Sequence, residues 1–216
     1  MSRAFYRLEN DYSIDGRWYI NRLCDREGTE LDSREFADGK RVDLGPPIVA
    51  KTWKESIAIA AWPPLTVLLD PKRKGFPLDF TFSNESMPVA TVAVAQLLTL
   101  IAEGDIQRIP VLVESREEEY EIINVTSCVD CIDAERSEIQ WYKPGNKVRP
   151  DLAGKPEMIT ELVIDPDRVC GHHIFRLEGW EIAIVVSDVI KNAFEETGVL
   201  GVKFLPVSSN LVRRRK

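Results

Sequence analysis

Two stretches with the same order of residue types predict the fold. Residues 87–111 read MPVATVAVAQLLTLIAEGDIQRIPV, and residues 184–207 read IVVSDVIKNAFEETGVLGVKFLPV. Each contains an apolar strand, a hydroxyl residue, a helix with mostly apolar residues at i, i+3, i+4 and i+7, a glycine, and a strand ending in Pro-Val. Because a hydroxyl at that position caps a helix N-terminus, we expect Thr91 and Ser187 to begin helices. The sequence therefore predicts two similar strand–cap–helix–strand units.

Glycine and proline mark the ends of both units. Gly104 and Gly198 follow the last helical positions, where a left-handed C-terminal cap belongs. Pro110 and Pro206 lie in the final strands, and because proline cannot donate to a strand ladder, we expect an edge position or a strand start there. Further strands are predicted from alternating or apolar runs at Ile109–Val113, Tyr120–Val125, Ile139–Tyr142, Ile159–Ile164 and Ile174–Leu177. We predict an α+β fold with a mixed, largely antiparallel sheet and a few packed helices.

The chain is predicted to divide into three parts. Residues 1–77 form an N-terminal elaboration of weak periodicity, in which Trp18-Tyr19-Ile20 is the clear apolar anchor. Residues 78–207 form the α+β core. Residues 208–216 end in four bases and are predicted to be a basic, solvated tail.

The negative charge is concentrated in one segment. The chain carries a formal net charge of −7, and Glu114–Glu138, with nine acids and two bases, accounts for all of it. Glu117, Glu118 and Glu119 fall at the predicted tip of a hairpin, and Glu121 follows in the next strand. These acids suit a solvated turn that keeps sheet edges apart. They also suit a docking face that steers a cationic partner, and on this second interpretation the four glutamates are the candidate partner-binding residues.

Composition excludes several classes of protein. The chain has 216 residues, of which 44% are hydrophobic and 29% charged, which is typical of a globular protein. Its acidity argues against nucleic acid as a partner, since phosphate binding needs a basic face. The N-terminus has no apolar signal segment, and residues 57–69 are interrupted by Pro63-Pro64 and too short to span a bilayer. With four cysteines and no export signal, we expect a cytoplasmic protein with reduced thiols and no membrane partner.

The cysteines and histidines are the candidate metal ligands. Cys128 and Cys131 form a CxxC pair, and Cys170 precedes His172 and His173. Zinc would accept such ligands. However, thiols three residues apart in a strand point to opposite faces of the sheet, and a second CxxC pair is missing. We predict neither zinc nor a cofactor, and a metal-stabilised structural module is kept as an alternative.

The same residues are the candidate catalytic groups. Cys170 and His173 suit a nucleophile and its base, which would make the chain a small hydrolase or transferase. Such a pair needs a third group to orient the histidine, and the sequence does not identify one. Recognisable hydrolase, metalloprotease and nucleotide-binding motifs are missing from the sequence. We therefore predict a protein that is not an enzyme.

The second half of the chain resembles a known family. The relevant stretches are Tyr120–Asp133 (YEIINVTSCVDCID) with Ser137 beyond it, Leu162–Leu177 (LVIDPDRVCGHHIFRL) and Val185–Val207 (VVSDVIKNAFEETGVLGVKFLPV). They resemble the bacterial immunity proteins of polymorphic toxin systems called immunity family eleven, over roughly residues 85–207. The residues that match the family pattern are Asp133, Ser137, Phe175, Ser187, Asp188, Gly201 and Phe204.

This resemblance implies a function and a partner. It implies a cytoplasmic protein that binds and neutralises a cognate toxin encoded beside it. It carries over no active site, and we expect structural roles for the matching residues. Whether the chain forms a homo-oligomer, and which face binds the toxin, stay open.

Overall fold

The predicted α+β class is confirmed. The structure, a computed structural model, describes residues 3–25, 27–43, 65–83, 86–145, 147 and 150–207. The predicted basic tail at 208–216 lies outside the described residues. The described helices are α1 (Val92–Ala102) and α2 (Asp188–Thr197). The described strands are β1 (Phe5–Asn10), β2 (Ile20–Cys24), β3 (Glu30–Leu31), β4 (Leu65–Leu69), β5 (Phe80–Ser83), β6 (Met87–Thr91), β7 (Ile106–Val113), β8 (Tyr120–Val125), β9 (Cys128–Val129), β10 (Glu138–Trp141), β11 (Pro156–Glu161), β12 (Ile174–Leu177), β13 (Trp180–Ser187) and β14 (Val202–Val207).

The strands form three sheets. The largest has the order β3-β2-β4-β7-β8-β6-β5, the second β14-β1-β13-β12-β9, and β10 and β11 form a separate pair. Most neighbours are antiparallel, and the parallel pairs in the described residues are β4–β7 and β9–β12. None of the described helices is both long enough and apolar enough to cross a membrane.

The two predicted units have the same topology. In the first, β6 and β7 both pair with β8 in antiparallel orientation, so they run parallel to each other with β8 between them. In the second, β13 and β14 flank β1 in the same way. Each unit is therefore a strand–helix–strand crossover around one antiparallel strand, and the two units belong to different sheets.

The two helices pack against each other in a shared core. Val94 and Leu98 of α1 are buried in the same apolar cluster as Ile190 and Phe194 of α2. The Phe194 ring meets the Phe80 ring edge-on, with centroids 5.9 Å apart. Burying each such side chain contributes about 1.5–3 kcal/mol to folding, so this interface joins the units.

Both helices begin where predicted, but their hydroxyl residues act differently. The Thr91 hydroxyl accepts a hydrogen bond from the Val94 backbone N–H at 3.4 Å, as a cap should. Ser187 also precedes its helix, yet its side chain makes no capping hydrogen bond. Its oxygen lies 2.9 Å from Nδ1 of His173. The predicted helix start at Ser187 is correct, and the predicted role of its hydroxyl is wrong.

The predicted glycine and proline positions are confirmed in the second unit only. Gly198 adopts the left-handed conformation at the end of α2, with φ of 70°. Gly104 lies instead in a short 3-10 turn, Glu103–Asp105, and is not left-handed there. Pro206 is in β14, an edge strand. Pro110 lies inside the large sheet, in a strand whose pairing with β4 begins one residue later, at Val111.

The first 77 residues contribute strands to both larger sheets. β1 lies between β13 and β14, whereas β2, β3 and β4 extend the large sheet beside β7. Trp18, the predicted anchor, is fully buried and its ring centroid lies 5.2 Å from that of Tyr120. Strands of residues 1–77 therefore pair with strands of residues 78–207 in both larger sheets.

A buried arginine connects the N-terminal part with both larger sheets. Arg176, in β12, is inaccessible to solvent and donates to the backbone carbonyls of Phe36, Ser86, Val125 and Glu181. Burial lowers the pKa of its guanidinium to about 10. The side chain remains charged at neutral pH, and its carbonyl partners replace water around a buried cation.

Candidate functional site

The acidic hairpin is anchored at its base and open at its tip. Residues 114–119 connect β7 to β8. Glu114 accepts hydrogen bonds from the Leu69 N–H and the Lys74 ammonium, both at 3.2 Å, and these bonds lower its pKa. Arg116 donates to the carbonyls of Lys74 and Gly75. Glu117 and Glu118 are exposed and Glu119 is half-buried. An anchored loop therefore presents two carboxylates to solvent and a third that is partly accessible.

Glu121 does not belong to this surface. It is only 5% exposed, because β8 lies inside the large sheet. Its carboxylate accepts two hydrogen bonds from Arg108, at 2.5 and 3.0 Å. The sequence grouped Glu121 with the tip, and the structure corrects this, because a buried and paired carboxylate is not presented to a partner.

Much of the segment's charge is neutralised in three dimensions. Glu114 pairs with Lys74, Glu121 with Arg108, Asp130 with Arg168 and Asp133 with Arg136. Three of these four bases lie outside the segment. Within the part of the chain that the structure describes, the acids of the segment without an ion pair are Glu117, Glu118, Glu119, Glu135 and Glu138. The tip thus carries most of the segment's unbalanced charge.

The two histidines belong to a polar cluster that the sequence did not predict. Asp105, the residue after Gly104, accepts hydrogen bonds from Nδ1 of His172 at 2.5 Å, the Ser127 hydroxyl at 2.8 Å and the His173 backbone N–H at 3.1 Å. Asp105 is buried. The position of Asp105 in the sequence, between a helix and a strand, did not indicate a contact with the histidines, because they lie 67 and 68 residues away.

The surroundings shift the pKa of two groups in this cluster. Burial alone would raise the pKa of Asp105, but the hydrogen bonds from His172, Ser127 and the His173 N–H outweigh it, and the net pKa lies below its usual value. For His173, burial lowers the pKa first, and the charge of Arg3 lowers it further. Asp105 is therefore held as a carboxylate, and the His173 ring is favoured in its neutral form.

The cluster is not arranged as a catalytic triad. Asp105 contacts the His172 ring, whereas the ring of His173 meets Ser187, and Ser187 has no solvent exposure. A nucleophile must reach its substrate, and Ser187 cannot. Cys170 is exposed and follows a 3-10 turn at Pro166–Val169, in a left-handed conformation with φ of 54°. The orienting carboxylate in this region serves neither Cys170 nor the His173 ring.

The CxxC thiols occupy different environments. Cys128 is in the short strand β9 and exposed, whereas Cys131 is fully buried. Desolvation raises the pKa of Cys131 to about 12. For Cys128, desolvation is the larger cause and the negative charge of Glu181 the next, and together they raise its pKa to about 11. Both thiols therefore favour the protonated form at neutral pH. Across the described residues, no group of three or more His, Cys, Asp or Glu side chains is placed to hold a metal.

The residues that matched the family pattern have structural contacts. The Ser137 hydroxyl donates to the Val163 carbonyl and accepts from the Val163 N–H, which fixes the turn that starts at Asp133. Phe175 is fully buried. Gly201 has φ of 111°, and a Cβ atom there would lie 2.0 Å from the Phe80 carbonyl oxygen, so only glycine fits.

Comparison with protein-family models gives a match over most of the chain. The family model described as "Immunity protein family (Imm11)" matches residues 23–209. This match begins far earlier than the resemblance over residues 85–207 suggested, so the family pattern includes strands of the N-terminal third. No curated protein matches the chain.

Proposed function

Because the chain belongs to the Imm11 immunity protein family, we propose that it binds a cognate toxin and neutralises it by covering the toxin's working surface, without catalysis. The match over residues 23–209 carries this proposal. We further propose that the protein acts in the cytoplasm, on a toxin encoded beside it. The burial of Ser187 and the separate contacts of the two histidines support a binding role over a catalytic one.

The acidic tip is proposed to steer the toxin. Glu117 and Glu118 are exposed and Glu119 is half-buried on a hairpin whose base is anchored by Glu114 and Arg116. Exposed charges at the rim of an interface accelerate encounter more than they prolong residence. We therefore expect the toxin to present a cationic surface, with apolar contacts elsewhere holding the complex together.

Binding kinetics test both parts of the proposal. We expect the purified chain to bind an inactive variant of the toxin encoded beside it. We expect the triple substitution E117Q/E118Q/E119Q to slow association, most strongly at low salt, where the screening length is roughly 30 Å at 0.01 M against about 8 Å at physiological salt. Dissociation should hardly change.

A matched control separates local steering from total charge. Glu27, Glu35 and Glu196 are also exposed. The triple substitution E27Q/E35Q/E196Q removes the same charge elsewhere and should leave association closer to wild type than the tip variant does. Equal association rates for wild type and the tip variant at all salt concentrations would reject steering by the tip. Absence of binding by the wild-type chain would reject the proposed function.

A further inference from the structure

A groove opens where two strands of the five-stranded sheet separate. β1 pairs with β13 only from Phe5 to Arg7. Beyond Arg7, β1 continues beside β14 to Asn10, while β13 continues beside β12 to Trp180. The space between them, closed on a third side by β11, has a volume of about 710 Å³. We call it the β1–β13 groove.

The groove exposes large apolar side chains. Ile182 of β13 is 56% exposed and Met158 of β11 is 48% exposed, and Tyr12 also lines the groove. Buried Trp180 and Ile159 lie beneath them. Single exposed apolar residues are ordinary, but several around one concave surface are typical of a binding site.

One wall of the groove is an open strand edge. β11 pairs with β10 along one side, and no strand among the described residues pairs with its other side. Arg7 reaches the Ile159 carbonyl of β11 across a long contact of 3.5 Å, while its guanidinium also lies over the Trp180 ring. A two-stranded pair is marginal alone, so a third strand would stabilise it.

The charges around this edge favour a basic occupant. Strands β10 and β11 contain Glu138, Glu157 and Glu161 and no base. Within the groove, Arg7 is paired with Glu9, which leaves the Glu157 carboxylate with a neutral partner, the Gln140 amide. A second copy of this chain would pair one acidic edge with another. A basic segment would meet opposite charges, and facing opposite charges stabilise neighbouring strands.

We infer that the β1–β13 groove receives an extended, basic segment of the toxin, which adds a strand to the open edge of β11 and buries apolar side chains against Met158 and Ile182. This inference rests on the proposed function. It assigns the apolar contacts that hold the complex to a surface separate from the steering tip. Main-chain bonds along an edge supply affinity in this mode, and alternate side-chain contacts supply specificity.

The test uses an inactive variant of the toxin encoded beside the chain as the probe. The double substitution M158K/I182K places two cations in the groove, and we expect it to weaken binding by about tenfold or more, mainly through faster dissociation. The control L100K/L200K changes two exposed apolar residues outside the groove, and its dissociation constant should stay within about twofold of wild type. Amide hydrogen exchange should slow across Glu157–Glu161 on binding and should change less at exposed amides of α1.

Each other outcome has a distinct meaning. If the wild-type chain binds the toxin and M158K/I182K binds equally well, this inference is overturned and the proposed function stands. If β11 amides gain no protection in a complex that does form, strand addition is overturned. If light scattering shows a dimer that M158K/I182K dissociates while toxin binding is unchanged, the occupant is a second copy and the inference is overturned. If the wild-type chain binds no toxin, the proposed function itself is rejected.

Discussion

The acids at the hairpin tip and the acid in the polar cluster occupy opposite environments. Glu117 and Glu118 extend into solvent, and the described residues supply no ion pair for them. Asp105 is buried and accepts three hydrogen bonds from His172, His173 and Ser127. The formal charge of the sequence counts all of these residues equally. Whether a carboxylate can contact a partner depends on its burial and pairing. The tip glutamates are therefore candidates for recognition, and Asp105 has a structural role.

Removing the buried carboxylate should have the largest effect on stability. We expect Asp105→Asn to lower the free energy of unfolding by about 1–3 kcal/mol, because buried donors lose a charged acceptor. Urea denaturation measures this. Because the folded pKa of Asp105 is lowered, its charge contributes stability above pH 3.8 that is lost as the pH falls through the folded pKa. Toxin association should be unchanged in this variant, and a slower association rate would break the division between the two regions.

The two helix starts provide a second comparison. We expect Thr91→Ala to cost about 1 kcal/mol through the lost cap. Ser187→Ala should cost a similar amount, about 0.5–1.5 kcal/mol, through its lost hydrogen bond with His173. The effect of Ser187→Ala should depend on pH as the pH falls below 6.5, since the pKa of its partner His173 lies below that value, and the effect of Thr91→Ala should not. Parallel pH dependence in both variants would contradict the assigned contacts.

Acidification should weaken folding through His173. The folded chain disfavours the imidazolium, so its pKa lies below the usual 6.5, whereas the unfolded chain gains the proton near 6.5. As the pH falls below 6.5, the unfolded state binds more protons and the free energy of unfolding falls. His173→Gln should flatten the profile in this window. A wild-type stability that rises between pH 6.5 and 5.5 would contradict the burial of a neutral ring.

The smallest effect on stability is expected at the tip. Because Glu117 and Glu118 are exposed and the described residues supply no ion pair for any of the three tip glutamates, E117Q/E118Q/E119Q should change the free energy of unfolding by less than about 0.5 kcal/mol. Thermal denaturation beside the association measurements checks this. A larger loss of unfolding free energy would mean that the tip carboxylates stabilise the fold, which would contradict the distinction drawn between the tip and Asp105.

Local pattern predicted both described helices and several strands after residue 87, but not the strands of the first 77 residues or the partners of any element. The strands Tyr120–Val125 and Ile174–Leu177 were predicted with their observed bounds, because alternation and flanking breakers are local signals. β11 spans Pro156–Glu161, whereas the predicted strand ran from Ile159 to Ile164. Helix starts depend on neighbouring residues and were also correct.

The side-chain contacts of the polar cluster and of Glu121 join residues distant in sequence, and no local signal identifies them. The Ser187 hydroxyl meets His173 because β12 pairs with β13, and Glu121 meets Arg108 because β8 pairs with β7. The groove exists because β1 leaves β13 after Arg7, although β1 lies in the part of the chain where periodicity is weakest. Pairing over such separations follows from the whole fold.

Titration of toxin activity with the purified chain tests the central claim most directly. A protein that neutralises by binding should reduce toxin activity in proportion to the amount added, reach background near one equivalent, and leave the toxin's mass unchanged. Substoichiometric amounts should leave the remaining toxin active however long the mixture stands. Full toxin activity at excess chain would contradict the account. So would slow, complete inactivation by substoichiometric chain, since that behaviour belongs to a catalyst.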